Sequence, residues 1–194
     1  MRSAELERKT AETCVKIKLL IDGQGNSRID TGIGFFDHML TLLARHSLFD
    51  LNVSCQGDLE VDGHHSVEDI GITLGSVFKT ALGTKDGIAR YGSFYVPMDE
   101  ALAFAALDIS NRPFLVYDAG AMAPMIGGYD SELTEEFLRA FAFQAGLTLH
   151  IKVLYGVNSH HKTEAVFKAL GHALRCATTI DPCIKGVLST KGVL

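Results

Sequence analysis

An α+β fold of two pseudo-repeats, each a mostly antiparallel sheet covered by two helices, is what this sequence predicts, and three observations carry the expectation. The segment GHHSVEDIGITLG at Gly63–Gly75 returns as SHHKTEAVFKALG at Ser159–Gly171, so His64, His65, Glu68, Leu74 and Gly75 all recur 96 residues later. Upstream, Leu48–Val53 and Leu147–Lys152 match at an offset of 99, as do Gly57 and Gly156, so the second half is three loop residues shorter. Finally, both halves run through the same order of patterns: extended segments, an amphipathic helix, a strand of alternating character, a short glycine-bearing loop and a second helix.

In the first half Val15–Leu20 suits a strand and the following Asp22–Ser27, rich in Gly and Asn, a hairpin turn. Phe36–His46 carries helical periodicity, Phe49–Cys55 alternates as a strand, and Val67–Leu82 is a helix stopped by Gly83. In the second half strands near Ala101–Ile109 and Pro113–Tyr117 precede helices at Leu133–Ala145 and Thr163–Thr178, with His150 in the strand between them. The halves divide at residues 1–92 and 93–194 and, with no linker between them, are expected to form one integrated unit. Shared polar clusters in otherwise diverged halves suggest duplication with both clusters kept for a common purpose.

Composition bounds the function classes. With 47% hydrophobic and 21% charged residues over 194 positions, the chain is long enough and apolar enough to bury a real core. A formal charge of −5 argues against a nucleic-acid partner, because a duplex demands a basic surface to displace its counterions. No apolar stretch approaches the roughly 20 residues that span a bilayer, and Met1–Thr10 is charged rather than leader-like, so no membrane partner and a cytoplasmic location are expected. Cys14, Cys55, Cys176 and Cys183 lack any C-x-x-C spacing and read as reduced structural thiols.

The histidines carry the chemistry. Of the eight, four sit in the two HH pairs. In a helix, positions three and four apart share a face, so Glu68 can lie beside His64 and His65, and Glu164 beside His160 and His161. Adjacent helical side chains diverge by about 100°, so neighbouring histidines address two ions more naturally than one. His38 and His150 are spare histidines at element ends and complete four ligands per ion. Imidazole and carboxylate without thiolate suit manganese, iron or zinc, and ligand type does not choose among them. A lone HH pair is ordinarily a surface accident; repetition with Glu in register is what makes a metal site the better reading. His172 has no repeat partner and reads as an ordinary helical histidine.

Arg90, Arg112, Lys168 and Lys191 could clamp an anion, although each such residue is more often a solvated charge. Ser189-Thr190-Lys191-Gly192 places hydroxyls and a cation together, as a phosphate-grasping tail would, or as a frayed terminus. Asp99-Glu100 offers a carboxylate pair for acid–base work, or an ordinary strand boundary.

Six segments together resemble the imidazoleglycerol-phosphate dehydratase family: Gly34–Leu40 (GFFDHML), Gly57–Asp69 (GDLEVDGHHSVED), Pro97–Leu102 (PMDEAL), Thr148–His150 (TLH), Asn158–Ala165 (NSHHKTEA) and Ser189–Leu194 (STKGVL). The resemblance runs from Arg8 to Leu194. It implies halves similar to the second domain of ribosomal protein S5, and a lyase of histidine biosynthesis. The implied reaction removes water from D-erythro-imidazole-glycerol phosphate to give imidazole-acetol phosphate, with two manganese ions (Mn2+) per site.

Carried over by position, one ion takes His38, His65, His160 and Glu164, and the other His64, Glu68, His150 and His161. Glu12, His46, Arg90, Arg112, Lys168, Ser189, Thr190 and Lys191 line the substrate site by the same resemblance, with Glu12 and His46 as the catalytic pair. Holding the ring as an imidazolate between two metals would let its electrons expel hydroxide through a diazafulvene-like state while Glu12 shuttles protons. Members of the family assemble as twenty-four-subunit shells with sites at subunit contacts, so a homo-oligomer is expected. The chain departs from the family at Asn111, where glycine is usual before the arginine; Asn tolerates the left-handed region, so Arg112 should still be placed. The loop Ala119–Gly128 is also less familiar. No hydrolase-like second domain is present, which implies a monofunctional dehydratase. Two rivals share the ligand set: a dinuclear hydrolase of phosphate esters, and a metal-holding shell without turnover.

Overall fold

Alternation of apolar and polar residues, with every second side chain buried, builds the first sheet. Val15, Ile17 and Leu19 on one strand and Leu51 and Val53 on another are at most 3% exposed, while their neighbours face solvent. The computed structural model describes residues 1–193; Leu194, the last residue of the predicted second half, lies outside the described residues.

The elements run β1 (Ser3–Lys9), β2 (Thr13–Leu20), β3 (Ser27–Asp30), α1 (Gly34–Ser47), β4 (Asp50–Gly57) and α2 (His64–Leu82). There follow β5 (Tyr91–Met98), β6 (Ala101–Asp108), β7 (Phe114–Asp118), β8 (Met125–Ile126), β9 (Tyr129–Asp130), α3 (Leu133–Ala145), β10 (Thr148–Tyr155) and α4 (Ser159–Thr178). The first sheet has order β1-β2-β4-β3 and the second β5-β6-β10-β7, the same topology twice. In each, only the last pair, β3 with β4 and β7 with β10, is parallel. The α+β class and its two-sheet, four-helix plan are therefore as the sequence predicts. The second sheet opens at Tyr91, two residues ahead of the predicted division.

One local expectation needs correction. Asp22–Ser27 is not a hairpin turn, because β2 pairs with β1 and β4 and the chain leaving it crosses to lie parallel to β4. The Asp50 carboxylate accepts the backbone N–H groups of Gln24 and Asn26, both at 2.9 Å, and so ties the crossing segment to the start of β4. Glycine and asparagine in that segment reported a tight bend; they carried no information about which strand comes next.

The four helices lie between the sheets and pack crosswise, α2 on α3 and α1 on α4. The recurring glycine of the repeat explains how. A Cβ on Gly75 would stand 2.7 Å from the Phe141 carbonyl oxygen of α3, and one on Gly171 would stand 3.0 Å from the Leu43 carbonyl oxygen of α1. Each half thus uses its recurring glycine for a backbone-to-backbone approach to the other. Around these crossings Phe36, Phe78, Phe137, Phe141, Phe167 and Tyr129 are fully buried, each worth about 1.5–3 kcal/mol in transfer from water. Among the described residues no helix is long and apolar enough to cross a membrane.

Gly75→Val should therefore cost on the order of 1–3 kcal/mol, with Gly171→Val somewhat less, because added atoms meet backbone that cannot yield. Thermal unfolding followed by circular dichroism should show a lowered midpoint for both, and little change for Gly34→Ala, where nothing lies within 4 Å of an added Cβ. Wild-type midpoints in the two valine variants would mean the helices do not approach this closely.

Candidate metal and substrate site

Helices α2 and α4 begin three and four residues earlier than their apolar periodicity suggests, and this places both HH pairs in a first helical turn. At α4 the Asn158 side chain accepts the N–H groups of His160 and His161 at 2.9 and 3.3 Å. At α2 the Asp62 carboxylate accepts the His64 N–H at 2.7 Å. In both pairs the imidazoles stand at 87° to one another, with centroids 6.3 Å apart in the first and 6.2 Å in the second.

That divergence separates the partners of each ring. His160 Nε2 donates to Glu164 Oε1 at 2.9 Å, one helical turn along. His38, from α1, donates its Nε2 to the same oxygen at 3.0 Å. Lys168 Nζ donates to the other oxygen at 2.6 Å. Burial pushes the Glu164 carboxyl up, but hydrogen bonds from Lys168, His38 and His160 outweigh it and hold the group at about 2. Among the described residues His38, His160 and Glu164 form the one set of three metal-capable side chains whose ligand atoms close to within 4.8 Å.

His161 and His65, the second members of the pairs, face carboxylates instead. His161 Nδ1 donates to Glu100 Oε2 at 2.7 Å, with Asp99 3.7 Å from its Nε2. His65 Nδ1 donates to Asp58 Oδ2 at 2.9 Å and lies 3.9 Å from Glu12 Oε2. These hydrogen bonds raise both imidazoles above their ordinary value. Glu100 is held at about 2 by His161 and by the backbone N–H of Asn158.

Glu12 and Glu100 occupy matching places, the turns between β1 and β2 and between β5 and β6. The Glu12 turn is tied down by Thr10, whose hydroxyl accepts the N–H groups of Glu12 and Thr13 at 3.2 and 3.0 Å. Beneath it the buried Asp69 accepts the Thr13 hydroxyl and pairs with Arg8 Nη1 at 2.5 Å, a contact whose angle is poor for a hydrogen bond.

The other sequence-predicted residues fall elsewhere on the chain. His64 and Glu68 are half-buried, and His64 lines a cleft of about 830 Å³ with Phe35, Asp62, Asp130 and Glu136. His150 is exposed on β10, in register with Ala106 and Val116. His64, Glu68, His150 and His161 do not converge within this chain. His46 sits at the α1–α4 crossing, where its Nδ1 lies 3.0 Å from His172 Nε2.

Arg90, Arg112, Ser189, Thr190 and Lys191 line a second cleft, of about 930 Å³. Arg90 is already engaged there: it grips Asp108 through two nitrogens at 2.7 and 3.0 Å and the Leu188 carbonyl at 2.7 Å, holding the tail against the fold. Arg112 is mostly exposed and 3.5 Å from Asp108. Asn111 adopts a φ of 56°, the left-handed backbone expected of it.

Sequence reasoning did not assign Asp58, Asp69 or Asp108, offered Glu100 only within the Asp99-Glu100 carboxylate pair, and dismissed His172. Asp58 and Asp69 lie in a segment that carries the resemblance, which is the one signal that flagged them. His172 carried no signal, since its partner is 126 residues away.

Imidazole and carboxylate donors at two helix starts of duplicated α+β halves, with a basic cleft at the opposite, C-terminal end of α4, are the kind of donor set a metal-dependent enzyme carries. The family model described as imidazoleglycerol-phosphate dehydratase matches residues 31–174. The imidazoleglycerol-phosphate dehydratases of Acetivibrio thermocellus and Listeria welshimeri are each 58% identical to the chain; the alignments span all of this chain and 99% and 100% of theirs. The crystal structure of the Staphylococcus aureus dehydratase superposes with a TM-score of 0.84 at 42% identity, covering 92% of this chain and 99% of that one. That of Pyrococcus furiosus, in complex with (S)-C348, gives 0.83 at 37% identity over 97% and 100%. The chain belongs to the imidazoleglycerol-phosphate dehydratase family, and is thereby a lyase of histidine biosynthesis.

The shared Glu164 carboxylate should be energetically coupled to Lys168. In chelator-treated protein Glu164→Ala should cost about 1–3 kcal/mol in urea unfolding, since it leaves a half-buried ammonium without its anion. In a Lys168→Met background the same change should cost less. Equal costs in both backgrounds would dissolve the coupling.

Proposed function

We propose that the chain dehydrates D-erythro-imidazole-glycerol phosphate to imidazole-acetol phosphate in the cytoplasm, as a homo-oligomer of twenty-four subunits holding two manganese ions per site. The observation that carries the reading is the convergence of His38 and His160 on Glu164, in a chain that matches named dehydratases over its whole length. Three donors without a thiolate fit manganese, iron or zinc. His38, His65, His160 and Glu164 would hold one ion and His64, Glu68, His150 and His161 the other. Binding at the first set must free the two Nε2 atoms now directed at Glu164, which a neutral ring does by carrying its proton on Nδ1.

The ions supply Lewis acidity and a template for the substrate's imidazole. The chain's own groups do the rest. Asp58 and Glu100 accept from the Nδ1 atoms of His65 and His161, which leaves each Nε2 as the outward ligand atom. Glu12, on a turn fixed by Thr10 and Asp69, would move a proton on the glycerol chain. Arg112, Lys191, Ser189 and Thr190 would bind phosphate, with Arg90 holding the tail that presents them. Lys168 and His46 complete the substrate site beside Glu164. The two sequence halves act as one catalytic unit, and the dispersal of the second ligand set within one chain supports completion of the site by a neighbouring subunit.

Manganese-loaded protein incubated with imidazole-glycerol phosphate should yield a keto product that keeps its phosphate. Glu68→Gln and Glu164→Gln should each lower both turnover and the manganese content found by elemental analysis. Release of inorganic phosphate, or full metal content in both variants, would overturn the assignment.

A further inference from the structure

His172 has no role in the proposed chemistry, yet it is the one described side chain whose polar atom meets His46. The two residues stand where α4 crosses α1. Gly171, immediately before His172, lets the helices close until its own added Cβ would lie 3.0 Å from His46 Cβ and 3.1 Å from the Ser47 nitrogen. The backbone under His46 is therefore fixed, and only the rotation of its ring remains to be set. His172 sets it from the side, with its Nε2 3.0 Å from His46 Nδ1. His172 is in turn held by Phe94 of β5, whose ring stacks on it at 17° with centroids 4.3 Å apart. Helix, glycine, histidine and phenylalanine thus form a chain of contacts that ends on one nitrogen of His46.

We propose that His172 is a positioning residue, which holds the His46 ring so that Nε2 is its free nitrogen for the substrate. The inference rests on the reading of His46 as a substrate-facing group. A nitrogen–nitrogen distance of 3.0 Å accommodates a single proton, so one ring donates and the other accepts. Whichever way that proton lies, His46 Nδ1 is committed to His172 and takes no part elsewhere. Burial pushes both imidazoles below their ordinary value, with Lys168 adding to the effect on His46 and Arg175 to that on His172. Glu164 acts on His46 in the opposite sense, so the ring lies within the field of the Lys168–Glu164 end of the site. A ring whose Nδ1 is engaged meets the substrate through Nε2 alone, as an acceptor when His46 holds the shared proton and as a donor when His172 holds it.

The test is a double-mutant cycle on the assembled, manganese-loaded enzyme, with metal content and particle size measured for every variant. His172→Leu fills the space without a polar atom and should lower kcat/KM about tenfold, the scale expected for loss of an outer partner. The division of that loss between kcat and KM should follow the direction seen in His46→Ala. His172→Gln, which can donate or accept at the same place, should recover most of it. In the His46→Ala background, His172→Leu should have no further effect. An impaired His46→Ala beside a fully active His172→Leu would overturn the positioning role alone, as would additive losses in the double variant. Wild-type kinetics in His46→Ala would instead overturn the reading of His46, and the inference with it. Should His172→Leu fail to assemble, the Gln variant and a Phe94→Leu variant carry the same comparison, since loss of the stack should mimic loss of the histidine.

Discussion

Adjacent side chains at a helix start cannot point the same way, and the rest of the molecule follows from that constraint. In both HH pairs the rings stand at 87°, so the second member of each crosses to a neighbouring turn, and in the second pair the first member runs along its own helix. His160 joins Glu164 and meets His38; His161 leaves for Glu100. A fold that duplicates this helix start therefore creates divergent sets of donors. His38, His160 and Glu164 converge within the chain, while His65 stays with Asp58 on the other half and His150 lies on the surface of β10.

What holds the donors at these angles is mostly not the donors themselves. Asn158 and Asp62 cap the helix starts, Asp58 and Glu100 fix the outer histidines, and Asp69 anchors the turn that carries Glu12. The glycines at the two helix crossings, Gly75 and Gly171, set the distance between the halves. Charge is arranged in the same spirit. An acidic chain carries a local basic cleft, and there Asp108 neutralises Arg90 so that Arg112, Lys185 and Lys191 remain as the more exposed cations.

Much of this was legible in the sequence, for physical reasons. A repeat of His-His-x-x-Glu in register exposes both the duplication and its ligand types, and strand and helix periodicities placed α3 at its observed bounds. The starts of α2 and α4 were not legible from apolar periodicity, because a first turn made of polar capping residues has no apolar face to count. Strand order failed at Asp22–Ser27 because pairing depends on the later strand β4, with which β3 lies parallel. The minor strands β8 and β9 are too short to show alternation. The His46–His172 contact was invisible for a related reason. A single polar pair far apart in sequence leaves no periodic trace, whereas Asn111 could be read locally because a left-handed backbone is a property of one residue.

The proposal that a neighbouring subunit completes each site, with Glu68 from one chain and Glu164 from another, is tested most directly by mixed assemblies. Glu68→Gln and Glu164→Gln chains, each inactive alone, would be chelated, combined in equal amounts and reassembled with manganese. If the two carboxylates belong to different subunits, random mixing leaves about a quarter of the sites with both intact, and activity should return to about that fraction. If both come from one chain, every site keeps a defect, and the mixture would stay as inactive as its components.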